Sequence, residues 1–193
     1  KYVFLDIVSY SHNRTVEAQC DIIDVINKIV RNALASLKIS ERSRILIPTG
    51  DGMCIALLDL NEPFDIHLQL SLKIMELLDK YNQSEKDEMR RFRIRIGINE
   101  NIDNLITDIN GNKNVAGAGI TEAQRIMDQG DGANIIVGRP VYNHLRQREK
   151  YLNKFNPFTV NIKHDQKLEI YQYVDADIQY VNSEAPGHLK IED

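Results

Sequence analysis

The sequence contains no tryptophan, two cysteines and five histidines among its 193 residues. Cys20 lies in a helix-like segment and Cys54 in a strand-like one, so we interpret both as buried thiols in a reducing cytoplasm. The histidines do not have the spacing of a zinc site. No apolar run approaches the roughly 20 residues that cross a bilayer. These absences argue against a disulfide scaffold, a histidine-based metal site and a membrane partner.

The sequence also lacks an excess of positive charge. It has 24 lysine and arginine residues against 28 aspartate and glutamate residues, a formal net charge of -4. A broad nucleic-acid surface needs a basic field, so nucleic acid is not an expected partner. With 42% hydrophobic and 27% charged residues, the chain is typical of one cytoplasmic globular domain. We assign that domain to residues 1–175 and expect residues 176–193 to form a loosely docked tail.

Apolar residues recur at helical spacing in three segments. Residues 14–38 have one continuous apolar face, which predicts a long first helix. That face consists of Val16, Cys20, Ile23, Ile26, Val30, Leu34 and Leu37. A second helix is expected to begin near Pro63, because proline suits the first helical turn. A third is expected over residues 120–128.

Strand patterns alternate with these helices. The first four predicted strands are residues 2–8, 44–49, 53–58 and 92–98, with a tight Gly-Asp-Gly hairpin between the second and the third. Three more are predicted at residues 134–137, 158–162 and 168–174, the last two as a closing hairpin. The order is that of a ferredoxin-like βαββαβ core, an α+β fold with an antiparallel sheet and helices on one face. We interpret the polar residues 99–114 as a loop.

Two aspartates interrupt this pattern where apolar or turn-forming residues would serve as well. Asp6 lies near the end of the first strand, and Asp51 lies at the tip of the hairpin. Each alone fits a solvent-facing or turn-forming role. In a βαββαβ sheet, however, the first strand is central and its end approaches that hairpin. Two carboxylates that meet there favour a cation between them, and two hard divalent ions can activate a hydroxyl and stabilise phosphoryl charge.

Four segments resemble the catalytic domains of class III adenylate and guanylate cyclases, in the right order and on matching elements. They are residues 4–11 (FLDIVSYS), 47–52 (IPTGDG), 92–98 (FRIRIGI) and 117–127 (GAGITEAQRIM). The resemblance covers roughly residues 2–174. A diguanylate cyclase would carry a different signature, and an RNA-binding ferredoxin-like module would expose aromatics on a basic sheet.

The resemblance implies a set of site residues. Asp6, Asp51 and the carbonyl group of Ile7 would bind two Mn2+ or Mg2+ ions. Arg125 would stabilise charge on the α-phosphate of a nucleoside triphosphate, and Thr121 takes the place of the family's ribose-orienting asparagine. Further substrate contacts are expected from Phe4, Ser9, Tyr10, Ser11, Arg95 and Lys163. Such sites form between two copies of the domain, so a homodimer with shared active sites is expected.

The expected base-recognition positions hold Ile47 and Asn114, which match neither the adenylate nor the guanylate pair of residues. An aliphatic side chain cannot hydrogen-bond a base, whereas an amide can both donate and accept. With neither purine pair, and with residues 47–53 and 97–99 similar to theirs, the chain resembles the bacterial pyrimidine cyclases of the Pycsar anti-phage system, which make cyclic UMP or cyclic CMP for a separate effector. A purine cyclase and a regulatory domain that binds nucleotide with little catalysis remain alternatives.

Overall fold

The computed structural model describes residues 1–60, 62–162 and 166–190. These residues contain nine strands and four α-helices. The strands are β1 (Tyr2–Ile7), β2 (Arg44–Pro48), β3 (Gly52–Leu57), β4 (Ile94–Asn99), β5 (Asn104–Thr107), β6 (Lys113–Ala116), β7 (Ile135–Gly138), β8 (Phe155–Ile162) and β9 (Gln166–Tyr173). The α-helices are α1 (Val16–Ser36), α2 (Ile66–Ser84), α3 (Ala118–Met127) and α4 (Arg139–Leu145).

Seven strands form one sheet in the order β2-β3-β1-β4-β7-β9-β8. The first four strands of that order pair antiparallel, and β1 lies among them with almost every residue buried. This part has the predicted ferredoxin-like order, and the α+β class is confirmed. The sheet is not purely antiparallel as predicted, because β7 pairs parallel to β4. No helix among the described residues has an apolar stretch long enough to cross a bilayer.

Helices cover both faces of the sheet: α1 and α2, the helices of the βαββαβ core, lie on one face as predicted, and α3 covers the other. Residues of α1, α2 and α4 pack with Leu5 and Ile96 in one large core. On the opposite face, Ala123 and Met127 of α3 pack against Phe4 in a smaller core. The sequence pattern did not separate the faces because every one of these helices has an apolar stripe, and the stripe alone does not say which side it covers.

The first helix buries a different stripe from the predicted one. Thr15 caps α1 by accepting the N–H of Ala18 at 3.3 Å, so Val16 lies in the first turn and its side chain is 70% exposed. Cys20 is exposed as well, contrary to prediction, whereas Cys54 is buried in β3. The buried residues of α1 are Ala18, Ile22, Ile26, Ile29, Val30, Ala33 and Leu34. Ala18 and Ala33 belong to the buried stripe of α1. The sequence interpretation missed this stripe because it considered only the larger apolar side chains.

Two further segments are more ordered than the sequence indicated. The polar residues 99–114, predicted as a loop, include most of the antiparallel hairpin of β5 and β6, whose turn is held by Asp108 accepting the N–H groups of Asn110 and Asn112. Residues 176–190 of the tail are docked, contrary to the prediction of a loose tail. Its Val181 is 4% exposed, and Gln172 of β9 donates to two tail carbonyl groups at 2.8 and 2.9 Å.

Candidate active site

The β2–β3 hairpin places Asp51 beside Asp6 at one edge of the sheet. Asp6 is paired with Gly52 across β1 and β3, and the N–H of Ile7 donates to the carbonyl oxygen of Asp51 at 3.3 Å. The Ile7 side chain is 1% exposed, so only its backbone is available at this edge. The backbone pairing therefore brings Asp6 and Asp51 to the same end of the sheet, and their joint binding of a cation stays a prediction. We call Asp6, Asp51, Gly52 and Arg95 the carboxylate rim.

Glycine at position 52 is required by this arrangement. A Cβ atom there would lie 2.3 Å from the carbonyl oxygen of Leu5 and 3.1 Å from Asp6 Oδ1. A side chain would therefore both displace β1 and fill the space next to the Asp6 carboxylate. Gly50 has a φ of 91°, a left-handed conformation that glycine adopts without a steric penalty. The Gly-Asp-Gly sequence is therefore explained by both the turn and the close approach of β1.

Burial dominates the electrostatics of Asp6, whose side chain is 18% exposed. Burial raises the pKa of the Asp6 carboxyl, the nearby Asp51 carboxylate raises it further, and hydrogen bonds from Arg95 oppose the rise. A raised pKa means that the negative charge of Asp6 is incompletely compensated by its surroundings. This is the setting in which an added cation stabilises the ionised carboxylate.

The donor set of the rim fits hard divalent cations. Of the two Asp6 carboxylate oxygens, Arg95 donates only to Oδ2, and among the described residues no hydrogen bond reaches Oδ1. The missing side chain of Gly52 leaves space beside that oxygen. The described residues contain no group of three or more histidine, cysteine or acidic residues placed to hold a metal ion together. Two carboxylates and one carbonyl group suit Mg2+ or Mn2+, which commonly complete their coordination with substrate phosphates.

The loop after β1 borders the rim and is fixed by a residue that the sequence did not single out. Arg14 donates to the carbonyl oxygens of Ser9 and Tyr10 at 2.5 and 3.1 Å, and to that of Arg91 at 3.0 Å. Ser9 and Ser11 are exposed at this border. The side chain of Tyr10 instead packs against the core, and its hydroxyl donates to α1 at 3.3 Å.

Two predicted substrate contacts are engaged by other groups of the chain in this structure. Phe4 is 4% exposed and packs with Cys54 and Met127, so it supports the sheet beneath the rim and does not face solvent. Its position in the strand interior was visible in the sequence, but its cover by α3 was not. Arg95 does not point freely into solvent either, because it forms an ion pair with Asp6 at 2.9 Å.

The two residues predicted to act in the transition state lie on α3. Thr121 and Arg125 are both exposed and are four residues apart, so they share one face of the helix. The Thr121 hydroxyl donates to the carbonyl oxygen of Gly117 at 3.3 Å, and the described residues offer the Arg125 guanidinium no hydrogen bond or ion pair. We call Thr121 and Arg125 the α3 outer face. Among the described residues, no hydrogen bond or ion pair joins this face to the rim of the same chain.

Asp103 fixes the beginning of α3, which sequence reasoning did not anticipate. Its carboxylate accepts the hydroxyl of Tyr2 at 2.8 Å and the N–H groups of Gly119 and Ile120 at 3.3 and 3.2 Å. Burial alone would raise the pKa of Asp103, but these hydrogen bonds outweigh burial and lower it. The alignment of α3 with β4 also depends on Gly97, where a Cβ atom would lie 2.4 Å from the backbone of Met127.

The predicted base-recognition residues lie on neighbouring elements. Ile47 of β2 is half-buried against the smaller core, and β2 contacts β6, which carries Asn114. Asn114 Oδ1 accepts the backbone N–H of Val115 at 2.7 Å. Lys163 lies outside the described residues. A cavity of about 670 Å³ at the opposite edge of the sheet, lined by Leu57 and His144 among others, is separate from all of these residues.

Comparisons with known proteins agree with this architecture. Residues 2–174 match the family described as adenylate and guanylate cyclase catalytic domain. Comparison with curated proteins gave no match.

Solved structures share the fold at low identity. A guanylate cyclase domain from Catenaria anguillulae in complex with GTP is 16% identical, with a TM-score of 0.65 over 90% of this chain and 94% of that one. An adenylyl cyclase from P. aeruginosa is 14% identical, with a TM-score of 0.66 over 91% and 93%. An adenylate/guanylate cyclase/hydrolase from Silicibacter pomeroyi is 19% identical, with a TM-score of 0.67 over 90% and 95%. The chain belongs to the adenylate and guanylate cyclase catalytic domain family and is a nucleotide cyclase domain.

Proposed function

We propose that this domain converts a pyrimidine nucleoside triphosphate, UTP in preference to CTP, into a 3',5'-cyclic monophosphate and pyrophosphate. The proposal for the base depends on one observation, the pair Ile47 and Asn114 on the contacting strands β2 and β6. Ile47 provides an apolar surface with no hydrogen-bonding group, so it leaves the polar edge of a purine unsatisfied, which is costly in a closed site. A pyrimidine needs fewer partners, and Asn114 can supply one.

The orientation of Asn114 supports uracil over cytosine. A backbone N–H can only donate, so the Asn114 atom that lies 2.7 Å from the Val115 nitrogen must be the carbonyl oxygen. The amide NH2 group is then the end of Asn114 that remains for a ligand, and it donates. Uracil has an accepting oxygen at its 4-position, where cytosine has a donating amine. A donor at Asn114 therefore favours UTP.

The reaction itself is an intramolecular substitution at phosphorus. The ribose 3'-oxygen forms a bond to the α-phosphorus, the bond from that phosphorus to the bridging oxygen breaks, and the hydroxyl proton leaves to solvent. Asp6, Asp51 and the Ile7 carbonyl group would hold two Mn2+ or Mg2+ ions. Bound there, such ions lower the pKa of a hydroxyl group and stabilise phosphoryl charge.

The remaining roles belong to cationic and hydroxyl groups of the chain. Arg125 stabilises the charge that develops on the α-phosphate, and Thr121 orients the ribose through a hydroxyl whose present hydrogen bond of 3.3 Å is easily exchanged. Arg95, with Lys163, binds the triphosphate. Because the α3 outer face does not meet the rim of its own chain, we infer a homodimer in which each site takes its rim from one copy and its α3 outer face from the other.

The cyclic pyrimidine product would act as a second messenger in an anti-phage response and be read by a separate effector protein. Support for this role comes from the resemblance of residues 47–53 and 97–99 to the Pycsar cyclases. Cells that carry the gene should accumulate cyclic UMP after phage infection, and cells with Asp51→Asn should not. Unchanged cyclic UMP during infection would contradict the signalling role without affecting the proposed reaction.

The direct experiment incubates the purified protein with Mn2+ and, separately, ATP, GTP, CTP and UTP, with identification of the products by mass. Cyclic UMP as the main product is the expected result. Asn114→Asp replaces the free donor by an acceptor and should shift preference toward CTP by about tenfold or more, since one hydrogen bond to a base discriminates by about 1–3 kcal/mol. The matched control is Asn110→Asp in the turn of the same hairpin, which should leave preference unchanged.

A cyclic purine as the main product would overturn the base assignment and keep the reaction. That alternative is favoured by the solved relatives, whose names include guanylate and adenylyl cyclases. A nucleotide-binding regulatory domain is favoured by one observation, the shorter Thr121 at the position of the family asparagine. Binding of nucleotide and Mn2+ without any cyclic product would support it.

A further inference from the structure

The Arg95 guanidinium lies between two groups of acceptors. On the rim side, Nε and Nη2 donate to the same oxygen of Asp6, Oδ2, at 3.1 and 2.9 Å. On the other side, Nη1 donates to the carbonyl oxygens of Asp128 and Gly130 at 3.3 and 3.4 Å, and Nη2 lies 3.4 Å from Asp128 Oδ1. The cation is therefore shared between the carboxylate rim and the C-terminal end of α3.

The α3 end is suited to receive the whole guanidinium. Carbonyl groups at a helix C-terminus carry partial negative charge, and Asp128, the residue that ends α3, adds a carboxylate. A Cβ atom at Gly130 would lie 3.0 Å from Arg95 Cβ, so the glycine allows the Arg95 stem to lie against the backbone there. The Arg95 side chain is 26% exposed, which leaves it some freedom to turn.

At the rim, Arg95 and a divalent ion compete for the Asp6 carboxylate. A divalent ion drawn to Oδ2 would face the Arg95 guanidinium at the same oxygen, and two cations at contact distance repel each other. Oδ1 alone is free of this competition. Full use of the Asp6 carboxylate by metal ions therefore requires Arg95 to leave Oδ2.

We propose that Asp128 is a positioning residue that receives Arg95 when a divalent ion takes Asp6. Metal entry and the turn of Arg95 toward the end of α3 are then one exchange. Arg95 competes with the metal for Asp6, and Asp128 weakens that competition by offering Arg95 another anion. This inference rests on the proposed metal ligands Asp6 and Asp51.

The test measures Mn2+ binding to the full chain without nucleotide, from the electron paramagnetic resonance signal of free Mn2+. Arg95→Gln should bind Mn2+ about fivefold more tightly, and Asp128→Asn about fivefold more weakly, at the low end of typical coupling between sites. Asp24→Asn is the matched control, because Asp24 is an exposed aspartate of α1 outside the Arg95 contacts. It should leave the Mn2+ dissociation constant unchanged.

The double variant separates this exchange from simple attraction of Mn2+ to a distant charge. Without Arg95, Asp128 has nothing to receive, so Asp128→Asn should have no effect in the Arg95→Gln background. A charge that acts at a distance would weaken binding equally in both backgrounds, and this result would overturn the inference. Weaker Mn2+ binding by Arg95→Gln would overturn it as well.

One further variant distinguishes failure of this inference from failure of the proposed metal site. Asp51→Asn should remove most Mn2+ binding. If it does so while Asp128→Asn binds like the wild type, the exchange is wrong and the metal site stands. If Asp51→Asn binds Mn2+ like the wild type, the metal ligands are misassigned and the exchange is wrong with them.

Discussion

The carboxylate rim and the α3 outer face differ in how completely one chain builds them. The rim is held by backbone pairing, by a glycine contact and by an ion pair, all within the described residues. The α3 outer face is fixed only from behind, through Asp103 and Gly97, and its own functional groups face solvent. The comparison shows that one chain by itself fixes the first region through its own contacts, whereas it leaves the functional groups of the second exposed.

The largest effect is expected when the rim loses a carboxylate. Asp51→Asn keeps the size and the turn-forming ability of the side chain but removes the charge that a divalent ion needs. We expect kcat to fall by about 1,000-fold or more, equivalent to about 4 kcal/mol in activation free energy. Steady-state turnover measures this loss, and circular dichroism checks the fold. Full activity would remove the proposed two-metal site.

A steric change at the rim should affect stability more than the same change in the β5–β6 turn. Gly52→Ala forces a Cβ atom to within 2.3 Å of the Leu5 carbonyl oxygen. We expect it to lower the free energy of unfolding by about 3 kcal/mol. Gly111→Ala is the control, since it meets no atom within 4 Å and only its φ of 81° is strained, which costs about 1–2 kcal/mol. Equal losses in urea denaturation would contradict the close packing of β1 on the hairpin.

Removing the charge of the α3 outer face should affect the chemical step and little else. Arg125→Ala should lower kcat by about 100-fold and leave KM within about twofold, because its interaction strengthens only as charge develops. Gln124→Ala, an exposed neighbour on α3, is the control. A rise in KM with unchanged kcat would show that Arg125 only binds substrate.

Mixing two inactive variants tests whether the regions meet across a dimer. A heterodimer of Asp51→Asn and Arg125→Ala has one site with neither change and one site with both. An equal mixture should regain about a quarter of the wild-type activity, since half of the dimers are mixed and each has one intact site. No recovery, with mixed dimers present, would contradict the shared site.

As the pH falls, the rim should lose its bound cation before the protein loses the stability that Asp103 contributes at the beginning of α3. The pKa of Asp6 is raised, above all by burial, so protons displace a bound cation at a higher pH than at an ordinary aspartate. Asp103 has a lowered pKa, so its contribution to stability is present above the unfolded-state value and is lost only as pH falls through the lower folded value. Mn2+ release should precede unfolding in an acid titration. Simultaneous loss would contradict the different surroundings of these two carboxylates.

Local patterns predicted much of the fold. Alternation in β4, helical spacing in α1 and α2, and the Gly-Asp-Gly turn gave the ferredoxin-like order and brought Asp6 to Asp51. The prediction failed where the apolar pattern of a helix does not specify which of its stripes is buried. Val16 and Cys20 are apolar at helical spacing yet exposed, because the position of the Thr15 cap and the small residues Ala18 and Ala33 decide which stripe of α1 is buried.

The sequence by itself determined the family, the core strand order and the placement of two aspartates at one end of the sheet, because these depend on short-range periodicity and on residue types at fixed spacing. Only the tertiary structure decided that α3 covers the second face, that Asp103 and Arg14 fix the segments around the site, and that Arg95 forms ion pairs with both Asp6 and Asp128. These contacts join residues far apart in the chain, and their partners become known only when the strands are in register.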